Sequence, residues 1–109
     1  MKNHFKSAEI PVDIMAPGIT RQIMGYQSDL MLVKVYFEQG AVAAIHDHPH
    51  QQVGYVLKGK FEVDIDGHKE ILSAGDAFSA PSGVKHGVVA LEEGIIIDTF
   101  SPMRADFLK

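Results

Sequence analysis

The odd positions of Met31-Leu32-Val33-Lys34-Val35-Tyr36-Phe37-Glu38 are uniformly apolar, the period of a strand with one face against a core. Phe61, Val63 and Ile65 alternate with Glu62 and Asp64, and Asp66-Gly67 then supplies a two-residue hairpin turn. Gly40–Ile45 and Val53–Gly59 read as further strands, as does the β-branched run Gly94–Phe100 before Ser-Pro. No segment sustains a 3.6-residue apolar period between caps, so helix content is expected to be low. Many short strands joined by Gly/Pro turns predict an all-β sandwich or barrel. Residues 1–10 form a lead-in, and residues 11–109 form one domain.

Composition narrows the function. The chain has 109 residues, enough for one core, with 22% charged residues and a formal charge of −4. That balance argues against a nucleic-acid partner, which calls for a basic face. The absence of cysteine excludes disulfides, thiolate metal sites and a cysteine nucleophile. No apolar run is long enough to span a bilayer, and the N-terminus lacks a signal-peptide core, so the expected compartment is the cytoplasm, with no membrane partner.

The candidate chemistry lies in His46-Asp47-His48-Pro49-His50-Gln51-Gln52. Positions two apart in an extended chain face the same side, so His46 and His48 should point together. Gln52 keeps the same parity, but Pro49 interrupts the strand and leaves its direction open. His86 is a fourth candidate from a separate strand, and imidazoles meeting inside a small barrel suit a borderline divalent metal. His4 and His68 read as surface residues, and His50 and Gln51 as bystanders of the cluster.

Two spaced motifs in this chain resemble those of the cupin superfamily. Gly40, His46, His48, Gln52 and Gly59 match the first, and Gly75, Pro81, Gly83 and His86 match the second. Gln52 stands where glutamate is usual and Ala90 where asparagine is usual. The resemblance implies a jelly roll, or double-stranded β-helix. It also implies a metal centre of His46, His48, Gln52 and His86 holding one divalent transition ion (Zn, Ni, Mn or Fe). A neutral amide in place of a carboxylate leaves such a site about one unit more positive, a better Lewis acid toward an anionic substrate. Alternatively, Gln52 only donates a hydrogen bond and the protein supplies three ligands.

Asp98 interrupts an otherwise apolar strand and shares a face with Phe100, while Ile95, Ile97 and Thr99 take the other. A carboxylate there tends to an elevated pKa, which suits a general acid/base, unless Arg21, Lys34 or Arg104 pairs with it. The ending Asp98-Thr99-Phe100-Ser101-Pro102-Met103-Arg104-Ala105-Asp106-Phe107-Leu108 resembles that of KdgF-type cupins. By that resemblance the protein converts 4,5-unsaturated uronates from pectin or alginate breakdown into linear keto sugars. Asp98 would then shuttle the proton, Arg104 and Arg21 would clamp the carboxylate of a small anionic sugar acid, and Phe100 would wall the sugar. Two alternatives are an iron-dependent cupin dioxygenase and a non-catalytic metal- or sugar-binding cupin. If Gln52, Gly54 and Val56 point in, Val53, Tyr55 and Leu57 point outward, an apolar face that needs cover from the second sheet or from another subunit, and the resemblance to other small cupins suggests a homodimer.

Overall fold

The computed structural model describes residues 3–108. Among the described residues ten strands follow one another: β1 (Asp13–Ala16), β2 (Ile19–Gln27), β3 (Leu30–Phe37), β4 (Val42–His46), β5 (Gln51–Lys58), β6 (Lys60–Ile65), β7 (His68–Ser73), β8 (Ala77–Ala80), β9 (His86–Ala90) and β10 (Gly94–Ser101). The helical segments among the described residues are two short 3-10 turns, Ser7–Glu9 and Ala105–Leu108. The strands form two antiparallel sheets, ordered β1-β2-β3-β10-β5-β8 and β4-β9-β6-β7. This is the all-β jelly roll that the patterning and the motifs predict.

The core lies between the sheets, and strand parity decides what enters it. Met31, Val33, Val35 and Phe37 of β3 are buried, as are Val56 of β5, Phe61 and Val63 of β6, and Ile96 and Phe100 of β10. Phe37 meets Phe61 edge to face, centroids 5.1 Å apart, an aromatic contact that ties one sheet to the other. Asp66 and Gly67 both have positive φ, 53° and 83°, which a two-residue hairpin requires and which glycine adopts without a Cβ clash.

The outer face of the larger sheet is covered unevenly. Gln22 of β2 points outward yet is 5% exposed, because the lead-in lies over it. Its amide donates to the carbonyls of Ser7 (2.8 Å) and Ile10 (3.0 Å), and Tyr36 donates its hydroxyl to the Gln22 side-chain oxygen. On β5 the same face shows Val53, Tyr55 and Leu57 to solvent, with Leu32 of β3 nearby through Thr99 in the strand register.

Candidate metal centre and its surroundings

His46 ends β4 and stands opposite His86, which opens β9, so the smaller sheet sets these two imidazoles side by side with centroids 4.4 Å apart. The chain leaves β4 after His46, turns through Pro49 and enters β5 at Gln51, carrying His48 across the gap to the larger sheet. There Gln52 pairs in register with Phe100 of β10, and Gly54 with Asp98. Because i and i+2 share a face, Gln52 and Gly54 point inward beside Asp98 and Phe100, which settles the direction Pro49 left open. His48, Gln52 and His86 are buried, and His46 remains exposed at the rim.

Hydrogen bonding fixes which atoms face the centre. Nδ1 of His46 lies 2.8 Å from the Ala44 carbonyl, Nδ1 of His48 is 2.9 Å from that of His50, and Nδ1 of His86 is 2.9 Å from that of Val84. A carbonyl only accepts, so each Nδ1 carries the proton and each Nε2 of the neutral ring keeps its lone pair. His50 thus supports the cluster with its backbone, while its ring stays out of it. Gln52 Nε2 donates to Asp98 Oδ1 at 3.0 Å, which turns the amide oxygen inward. That oxygen sits 3.0 Å from His48 Nε2 and 3.1 Å from His86 Nε2.

Lone-pair atoms at that spacing repel unless a cation or an extra proton lies among them. One nitrogen from each of His46, His48 and His86 lies within 4.8 Å of the others, a group that could hold a metal ion. Nitrogen and amide-oxygen donors with Nδ1–H tied to backbone carbonyls fit a borderline divalent ion and its supporting shell. Burial pushes the pKa of His48 and of His86 down, and the positive charge of Arg104 adds to the effect. Both rings are therefore held neutral, the ligating form.

Among the described residues, no ion pair joins Asp98 to Arg21, Lys34 or Arg104, the cations considered from the sequence; its hydrogen bond comes from the Gln52 amide. Loss of solvent raises its pKa to about 7, against the opposing influence of that hydrogen bond and of Arg104. Gly54 makes the room: a Cβ there would run into the Phe78 ring and come within 2.8 Å of Asp98 Oδ1. A glycine inside a strand can signal such a close approach, but the identity of the neighbour depended on the register.

The two arginines of the chain both lie against Phe107: the guanidinium carbon of Arg21 is 3.9 Å from the ring centroid and that of Arg104 is 4.2 Å. Arg104 also lies over Phe100 at 5.1 Å, and its charge is felt at His48, His86 and Asp98. Phe100 in turn contacts both His48 and Phe107 edge to face. Arg21 projects inward from β2, with Nε buried, without a hydrogen-bond partner and 3.8 Å from Asp13 Oδ2. Asp106, Phe107 and Phe78 were not singled out from the sequence, although Asp106 and Phe107 stand in the quoted ending.

The cupin domain model matches residues 33–98, which hold all four converging side chains. The chain belongs to the cupin family. Over 110 residues this cupin is 49% identical to the pectin degradation protein KdgF of Dickeya dadantii, spanning 99% of this chain and all of that protein. It superposes on the structure of KdgF from Halomonas sp. with a TM-score of 0.93 at 46% identity, covering 98% of this cupin and 99% of the other. A second match is the crystal structure of an RmlC-like cupin from Shewanella frigidimarina, with a TM-score of 0.94, 41% identity, and 98% and 96% of the two chains covered. Among the described residues of this cupin, no helix is long and apolar enough to cross a membrane.

Proposed function

We propose that this cupin is a metal-dependent enzyme that opens and tautomerises 4,5-unsaturated uronates from pectin or alginate breakdown, giving linear keto sugars. The observation that carries the reading is the lone-pair ring of three imidazole nitrogens and Gln52 Oε1, set directly beside a protonatable Asp98. The whole-length likeness to KdgF proteins supports the choice of substrate class.

His46, His48, Gln52 and His86 would hold the divalent ion, whose Lewis acidity stabilises negative charge developing on a substrate oxygen. Arg104, its plane steadied by Phe100 and Phe107, orients the uronate carboxylate through paired N–H donors, with Arg21 adding positive charge behind the same ring. Phe100 forms an apolar wall for the sugar and keeps water from the enolate. With a pKa near 7, Asp98 accepts the hemiacetal O–H proton as the ring C–O bond breaks and the aldehyde forms. The same carboxyl then returns a proton to the enolate carbon, leaving the ketone. One proton moves from oxygen to carbon, so the reaction is an isomerisation with no co-reactant.

The test is the decay of the conjugated uronate's ultraviolet absorbance on adding the purified holoprotein. Oxygen uptake with the same substrate would favour an iron dioxygenase instead, and binding without turnover would favour a sugar-binding module. We also infer a cytoplasmic homodimer that covers the outer face bearing Val53, Tyr55 and Leu57, each roughly half exposed in the single chain. Light scattering reporting a monomer for the wild type removes that inference.

A further inference from the structure

We propose that Asp106 is a positioning residue that aims Arg104 into the site, so that the last 3-10 turn of the chain is part of the substrate-binding apparatus. The inference rests on the uronate reading above and adds a residue to it. Asp106 takes Arg104 along one edge, Nε to Oδ1 at 3.0 Å and Nη2 to Oδ2 at 2.8 Å. A guanidinium has five N–H groups, and this grip uses two of them. The end of the fork, Nη1 with the second N–H of Nη2, stays free to take another carboxylate bidentately.

The rings limit how the fork can turn. Phe107 immediately follows Asp106 and lies 4.2 Å from the Arg104 guanidinium, while Phe100 lies on the same cation at 5.1 Å. Sequence neighbours Asp106 and Phe107 thus hold Arg104 by its edge and by its face. The Arg104 side chain is 13% exposed, whereas that of Asp106 is 49% exposed. The carboxylate therefore keeps water on its outer side while the cation points inward, toward His48, His86 and Asp98, all of which feel its charge.

The second carboxylate within Arg104's influence is Asp98. Released from Asp106, Arg104 would be drawn to Asp98, placing an ion pair where the substrate carboxylate should sit. Asp106 thus does two things through Arg104: it fixes the fork for the ligand and keeps it off the proton carrier. A surface ion pair alone contributes little to stability, so the consequence is expected in binding geometry rather than in folding.

Because the chain has two arginines, the Nε–H region of a 15N-labelled spectrum contains two assignable signals, with Arg104→Lys identifying one of them. In Asp106→Asn the Arg104 signal should move to the position of a free guanidinium while that of Arg21 stays. KM for the unsaturated uronate should rise about tenfold with kcat changed less than threefold, and the melting temperature should hold. Asp106→Glu should restore part of the KM and part of the shift, and it serves as the primary variant if the asparagine protein does not fold. An unmoved Arg104 signal overturns the proposal, as does a moved signal with KM unchanged. If the wild type shows no turnover of the uronate, the reaction assigned above fails, and the Arg104 signal still decides whether Asp106 holds the fork.

Discussion

Gln52 faces two ways at once: its amide nitrogen donates to Asp98 Oδ1 at 3.0 Å while its oxygen lies 3.0–3.1 Å from Nε2 of His48 and of His86. The proposed metal ligand and the proposed proton carrier are therefore joined by one planar amide. Of the two readings the sequence left open for Gln52, hydrogen-bond donor or ligand, the geometry is compatible with both together. A carboxylate at position 52 offers no N–H, and two carboxylates at that separation do not both ionise.

Gln52→Glu should accordingly keep the metal and lose the chemistry. We expect metal content per chain to match the wild type, with kcat reduced at least about tenfold as Asp98 becomes locked in a shared proton with the new carboxylate. Elemental analysis beside the absorbance assay checks both halves. Full activity in this variant would show that the amide link is dispensable.

Asp98→Asn removes the proton carrier while retaining a side chain of the same shape. Turnover should fall by about 10²–10⁴-fold, the usual contribution of a general acid/base, with the ion retained. Wild-type turnover in the Asp98→Asn protein rules out the assigned role.

The same substitution has a pH signature in chelator-treated protein. The folded-state pKa of Asp98 is raised from 3.8 to about 7, so between those values the unfolded chain binds fewer protons than the folded one. The stability from this group is thus fully present below about pH 4 and is lost as pH rises through 7. His48 and His86 act oppositely: with pKa values pushed below 6.5, their contribution is present above that value and is lost as pH falls. Urea titrations across this range should show the wild type losing ground to Asp98→Asn as pH climbs toward 7. Parallel curves would mean that the carboxyl is not desolvated as described.

Gly54→Ala places a methyl group where Phe78 and Asp98 already stand. Overpacking of this kind costs about 1–3 kcal/mol, so the melting temperature should drop, and the displaced Asp98 should reduce kcat. Calorimetry with the activity assay tests this, and a neutral outcome in both would contradict the packing.

Loading the site should stabilise the fold, because the cluster brings four lone-pair atoms together at a cost that a cation offsets. At a divalent ion concentration about 100-fold above the dissociation constant the gain is about 2.7 kcal/mol. For a chain of this size that shifts the melting temperature on the order of 10 °C. His86→Ala should abolish most of the difference between chelated and loaded samples.

Read alone, the sequence determined the all-β class and, through its two motifs, the jelly roll, and it determined the buried face of β3. It could do so because strand parity is local: the odd positions of β3 are buried as their alternation predicts, whereas Pro49 left the direction of Gln52 on β5 for the structure to decide. It also singled out the three imidazoles that converge, because motif spacing reflects strand lengths. It did not disclose that Asp98 bonds to Gln52 rather than to an arginine, that Gly54 yields its space to Phe78, or that both arginines lie against Phe107. Apart from Arg104 on Phe107 within the C-terminal turn, those relationships join side chains far apart in the chain. Strand pairing within the larger sheet and the fold-back of the C-terminal turn bring such atoms within a few ångströms, and no local periodicity encodes which strands become neighbours.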